Sequence, residues 1–317
     1  MMVFRFLSCL ALGLLASLPA AAECKLVQAA SLPLTQTDTD IGIETLPVEI
    51  GGKTVPFALN TGSVVSFVTE AVARTADYKP EALENLVVYG MRYSAGAVIP
   101  RMALGGLVGT DQHFVLLKAR ETLGHAAGVI GLDKIEGYDV ELDLAHGKLN
   151  LFKPDHCPGQ VVYWTDSAAV IPFRVQDDGQ INVPMKLDGQ TVNVILDTST
   201  ATGEIRFAAA HRLFGLHRGD LRQSDDQEFG DYRYPFHALS VGGLTIANPD
   251  IGIFDYGDRE EICDGKFHTQ HREHFAEATY RCLGGGDLRI GLKQLRALRL
   301  FISFSEKTLY VTPAEAH

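Results

Sequence analysis

Short apolar runs separated by glycine-bearing turns dominate this chain, a pattern of strands rather than of long helices. Lys53–Leu59 and Thr191–Leu196 are rich in Val, Phe and Ile, each follows a turn containing glycine, and both read as hairpin strands. Leu149–Phe152 and Thr308–Val311 read as further strands, after the turn signals His146-Gly147 and Ser305-Glu306-Lys307. Helical spacing of apolar residues is confined to Thr69–Ala76, Arg206–Leu216 and Leu292–Leu298. The pattern predicts an all-β protein with a few short helices.

The same pattern occurs twice. Leu46–Ser63 (LPVEIGGKTVPFALNTGS) aligns with Val183–Thr200 (VPMKLDGQTVNVILDTST) at an offset of 137 residues. Gly105-Gly106-Leu107 recurs as Gly242-Gly243-Leu244 at that offset, whereas Ile130-Gly131-Leu132 recurs as Ile290-Gly291-Leu292 at an offset of 160. The second copy has therefore gained 23 residues between Phe254 and Ile290. A fixed long offset broken by one insertion is the trace of a duplicated domain and predicts two lobes about a pseudo-two-fold axis. Residues 23–160 form the first lobe and 161–317 the second, with the boundary near Val161 and the insertion at about 256–287.

At 317 residues, with 46% hydrophobic and 21% charged residues, the composition is that of a soluble globular protein. The net charge of -11 and the lack of a basic run argue against nucleic acid as a partner. Residues 1–22 read as a signal peptide: Arg5, an apolar stretch from Phe6 to Leu18, and Ala20-Ala21-Ala22 at the cleavage site. The stretch is short for a bilayer span, so stable membrane insertion is not expected, and the periplasm or the exterior is the expected location. Cys24, Cys157, Cys263 and Cys282 remain after cleavage, and an even count in an exported chain suggests two disulfides. Of the three connectivities, Cys24–Cys157 and Cys263–Cys282 are favoured, the second closing a local loop.

Each copy runs from an apolar strand into a polar turn: Leu59 into Asn60-Thr61-Gly62, and Leu196 into Asp197-Thr198-Ser199. A strand ending in Asp, a hydroxyl residue and a small residue presents its carboxylate at a sharp bend, where backbone N–H groups can orient it. Asp197 has this setting, and Asn60 stands at the matching position. A lone Asp of this kind is usually only a turn cap; its duplication in register points further. Leu59-Asn60-Thr61-Gly62-Ser63 and Leu196-Asp197-Thr198-Ser199-Thr200, with Gly128-Val129-Ile130-Gly131 and Leu288-Arg289-Ile290-Gly291, resemble the pepsin and retropepsin superfamily of aspartic peptidases, in particular its bilobal bacterial members.

The resemblance implies two related β-barrel lobes with a peptide-binding cleft between them, one catalytic Asp from each lobe, and no cofactor or metal. The family's two carboxylates share a proton; one takes a proton from water while the other donates to the substrate carbonyl. By position, Asp197 is the surviving acid, Asn60 its degenerate partner, and Thr61 and Thr198 the hydroxyls that brace the two turns. Gly62 and Ser199 border the substrate, and Tyr89 and Tyr93 stand in the flap region Val87–Arg101, matched by Tyr232 and Tyr234 in Gln223–Phe236.

Two departures from the family pattern matter. Ser199 in place of Gly is expected to restrict a tight turn. Arg289 in place of an apolar residue is expected to disturb the packing beneath Asp197. An amide can imitate the hydrogen bonding of a protonated carboxyl but exchanges no proton at working pH. The implied protein is a monomeric binder of polypeptide with weak or absent proteolysis. An active endopeptidase using Asp197 and a second acid is the first alternative.

Three further features take blander readings. His268, His271 and His274 in the insertion read as a polar helix rather than a metal site, although a structural or metal-binding envelope protein is the second alternative. Asp139, Glu141 and Asp143, just before His146 and Lys148, read as the solvated face of an edge strand rather than a cation site. Trp164 is expected to pack between the lobes.

Overall fold

The computed structural model describes residues 25–37, 42–88, 91–117, 125–176, 179–225, 230–255 and 286–315. The expected signal segment, Cys24, Tyr89, the three histidines of the insertion, Cys263 and Cys282 lie outside these residues.

Among the described residues the strands form three β-sheets. One of eight strands spans residues 35–130, and one of ten spans residues 174–290. A six-stranded sheet is shared, with Gln28–Pro33, Lys148–Phe152 and Asp139–Asp143 beside Leu298–Ser303, Thr308–Pro313 and Ala169–Pro172, in that spatial order. The sequence repeat is thus a structural one, and the shared sheet joins the two copies.

The two copies repeat the same hairpin and parallel pairing. Glu44–Ile50 pairs antiparallel with Lys53–Leu59, as Ile181–Leu187 does with Gln190–Leu196. The second strand of each hairpin then pairs in parallel with the apolar-Gly segment of its own copy, Leu59 beside Ile130 and Leu196 beside Ile290. The alternation of apolar residues along these strands buries Leu46, Val48 and Ile50 in one lobe and Val183, Met185 and Leu187 in the other. Gly105-Gly106 and Gly242-Gly243 turn the next hairpins with φ of 57 and 88° in one copy and 54 and 91° in the other, values that favour glycine.

The α-helices among the described residues are as short as the pattern suggests: Glu70–Thr75, Phe207–Phe214 and Leu292–Leu295. Gly215, at φ 67°, ends the second in a left-handed cap. The third stops before the expected Leu298, because that residue already pairs with Pro313 in the shared sheet.

The reading of Asp139, Glu141 and Asp143 as a solvated edge is overturned. Their strand is central in the shared sheet, flanked by Lys148–Phe152 and Leu298–Ser303, and all three acids are buried. Partners distant in sequence neutralise them. Arg299 donates to Glu141 through Nε at 2.8 Å and Nη2 at 2.5 Å, and its Nε lies 3.4 Å from Asp143. The Tyr163 hydroxyl also donates to Glu141 at 2.7 Å. Burial and that bond push the Tyr163 hydroxyl up to about 12. Trp164 lies over the Arg299 guanidinium at 4.2 Å and donates to Thr312, so it packs on the sheet that joins the copies.

Asp139 is held by the Ser303 hydroxyl at 2.7 Å, by Ser305 and by the buried His156 ring. Burial works against a charge on His156. The hydrogen bonds to Asp139 and the Cys157 carbonyl, with the charges of Asp139 and Glu306, outweigh it, and the His156 pKa stands above its ordinary 6.5. A raised folded-state pKa adds stability that is full below about pH 6.5 and is lost as pH rises through the folded value. Urea midpoints measured from mildly acidic to mildly alkaline pH are therefore expected to fall more steeply in the wild type than in His156→Gln. Parallel profiles would remove His156 from the account.

Candidate active-site turns

Asn60 and Asp197 each follow the last residue of a buried strand, Leu59 or Leu196. The backbone N–H of each donates to the facing parallel strand, Asn60 to the Ile130 carbonyl at 2.9 Å and Asp197 to Ile290 at 3.0 Å. The chain then bends sharply, and its next carbonyls receive Leu132 N–H at Ser63 and Leu292 N–H at Thr200. A strand pinned on its parallel neighbour and turned at once leaves each side chain at the end of the sheet.

The two turns meet. Thr61 Oγ1 donates to the Leu196 carbonyl at 2.7 Å and accepts the Thr198 N–H at 3.3 Å. Thr198 Oγ1 does the reverse, donating to Leu59 at 2.6 Å and accepting the Thr61 N–H at 3.1 Å. All four bonds are buried and cross between the copies. Gly62 completes the contact, since a Cβ there would collide with the Asp197 carboxyl group. Its carbonyl accepts from the buried Gln180 of the other copy at 2.9 Å.

The inner oxygens match as well. Asn60 Oδ1 accepts the Gly62 N–H at 2.9 Å, and Asp197 Oδ1 accepts the Ser199 N–H at 2.8 Å. A backbone N–H requires an acceptor, so the Asn60 amide points its oxygen into the turn and its NH2 away from it. Both side chains are buried, Asp197 completely.

Around Asp197 the structure corrects two expectations. Ser199 is not among the described residues at positive φ, so no backbone restriction arises, and its hydroxyl adds a second donor to Asp197 Oδ1 at 2.6 Å. Arg289 does not disturb the packing, because it finds charge partners. Its Nε lies 3.2 Å from Asp197 Oδ2 and its Nη1 3.8 Å from Glu204. Oδ2 takes no directed hydrogen bond among the described residues, so this ion pair is what matches its charge. Arg289 was visible in the sequence only as a misplaced charge; its pairing with Asp197 and Glu204 and the Gln180 bond to Gly62 were not.

The flap-region residues are placed as follows. Lys79–Val88 and Met91–Leu104 form a long hairpin. Tyr93, on its second strand, is buried with its ring edge-on to Phe67 at 5.3 Å, in a cluster with Ala58 and Val129. Tyr232 packs on Phe207 and Tyr234 on Phe236. Among the described residues no group of three or more His, Cys, Asp or Glu is arranged to hold a metal ion. Nor is any helix among them long and apolar enough to cross a membrane.

Comparison with known proteins agrees with this architecture. Residues 46–134 match the family model described as aspartyl protease. Among solved structures, the aspartic proteinase from Irpex lacteus superposes with a TM-score of 0.52 at 13% identity, covering 90% of this chain and 98% of that one. The fold is that of the two-lobed aspartic proteinases. Two basic 7S globulins share it. Basic 7S globulin from soybean gives a TM-score of 0.55 at 10% identity over 93% of this chain and 98% of its own. Conglutin gamma, a basic 7S globulin from lupine, gives 0.50 at 9% identity over 91% and 95%. No curated protein matches by sequence. Identities this low carry the fold and leave the activity to be argued from the site.

Proposed function

We propose that this chain is an exported, bilobal homologue of the aspartic peptidases that binds extended polypeptide between its lobes and hydrolyses it poorly or not at all. One observation carries the reading: Thr61 and Thr198 grip together two turns that bear an amide and a single acid. Acid–base hydrolysis needs one group to take a proton from water and another to give one to the carbonyl. Asp197 can serve in one role, and Asn60 in neither. A groove that binds an extended chain draws on its walls and main-chain donors, and these do not depend on the residue at position 60.

The chain is further proposed to act as a monomer in the periplasm or outside the cell, after removal of residues 1–22. The even count of cysteines left after removal of residues 1–22 supports an oxidising location. The reading is tested by incubating the purified protein with a fluorescently labelled, unstructured polypeptide at acidic and neutral pH. Anisotropy is expected to report binding while electrophoresis shows the polypeptide intact. Family-like rates of cleavage, or no binding, would sink it.

One feature favours the rival reading of a working endopeptidase. Glu204 is the acid nearest in connection to Asp197, through the shared Arg289 guanidinium. Under that reading Glu204→Gln abolishes a cleavage activity that the wild type displays.

A further inference from the structure

The pseudo-symmetry allows each residue beside Asp197 to be compared with its counterpart beside Asn60. Arg289 lies across from Ile195 in the parallel pairing and from Glu204 in the antiparallel one. In the first copy Val129 lies across from Ala58 and from Phe67 in the same two pairings. The ion pair of Arg289 and Glu204 therefore occupies the places of an apolar pair, Val129 and Phe67, which the first copy buries in an apolar cluster. The charges stand only on the side that kept a carboxylate.

Burial gives this asymmetry a cause. Two acids that share a proton carry one charge between them over two groups. With Asn60 neutral, the whole charge rests on Asp197, which is completely buried, and an unpaired buried charge is costly. Arg289 supplies the counter-charge, and Glu204 holds the far end of its guanidinium.

Resting on the reading of the chain as a degenerate peptidase homologue, we propose that Arg289 is a second block on hydrolysis, independent of Asn60. It occupies Asp197 Oδ2, one of the oxygens a proton-sharing pair needs. An acid restored at position 60 then meets an Asp197 already paired with a cation, and the two carboxyls do not share a proton. In a restored pair, one carboxylate accepts a proton from water as the water oxygen bonds to the acyl carbon. The protonated partner gives its proton to the carbonyl oxygen. Collapse of the tetrahedral intermediate breaks the C–N bond, and the leaving amine takes up a proton. That sequence requires removal of the guanidinium charge as well as an acid at position 60.

The test compares Asn60→Asp, Asn60→Asp/Arg289→Met and Asn60→Asp/Arg289→Lys for cleavage of the labelled polypeptide across acidic to neutral pH. Circular dichroism and peptide binding verify the fold of each. Asn60→Asp and the Lys variant, which keeps the positive charge, are expected to remain silent. The Met variant is expected to cleave at least about a hundredfold faster, with a bell-shaped pH profile and the gain in kcat rather than KM. If the Met variant does not fold, Asn60→Asp/Arg289→Val/Glu204→Phe, which copies the residues of the first lobe, carries the same expectation. Activity in Asn60→Asp equal to that of the Met variant would overturn the proposal, as would a folded, peptide-binding Met variant that stays silent. Failure of the wild type to bind peptide, or its cleavage of peptide, counts instead against the functional reading.

Discussion

Arg299→Ala is expected to destabilise the protein by about 3–5 kcal/mol, the usual cost of removing one partner from a buried ion pair. Arg299 lies between two buried acids, Glu141 and Asp143, and its guanidinium makes two hydrogen bonds to Glu141. Removing it leaves two buried carboxylates without their shared cation and uncovers the face of Trp164. Replacing the Glu141–Arg299 pair with apolar residues has a smaller effect. Glu141→Leu/Arg299→Met keeps the packing and removes a charge of each sign, so it is expected to cost much less than Arg299→Ala. Fluorescence of Trp164, the chain's one tryptophan, reports both during urea unfolding. A loss below about 1 kcal/mol for Arg299→Ala would mean that the acids are not neutralised through this contact.

The pattern of alternate acids at 139, 141 and 143 is where sequence reasoning went astray, for a physical reason. Acids at every second position of a strand normally mark a wet face. What reverses that meaning here is the company supplied by His156, Tyr163 and Arg299, from a loop and a strand far along the chain. Periodicity shows which residues share a face; it does not show what covers the face. The duplicated hairpins were readable because their information is local: a glycine turn, two apolar strands and a polar bend, copied at a constant offset. The meeting of the two turns that carry Asn60 and Asp197 could be inferred from that symmetry. Arg289 had to be seen beside Asp197 and Glu204 before its charge made sense, because the same residue in an apolar setting would have been a defect.

Loss of the Thr198 hydroxyl is expected to be the costliest single change at the two turns. In Thr198→Val the Thr61 N–H has no acceptor and the Leu59 carbonyl loses its donor, both deep between the copies. Each buried backbone group left unpaired costs about 1–3 kcal/mol, whereas Thr198→Ser retains the hydroxyl and is expected to cost far less. Thr61→Val orphans the mirror-image pair, the Thr198 N–H and the Leu196 carbonyl. Because all four bonds run through two hydroxyls in one contact, the double substitution should not cost the sum of the singles. Once one turn loosens, the other has less to lose, and a double-mutant cycle on urea midpoints should return a coupling of about 0.5–3 kcal/mol. Additive losses would show that each hydroxyl braces only its own lobe. They would also remove the ground for treating Asn60 and Asp197 as a pair, because the bonds that join their two turns are those of Thr61 and Thr198.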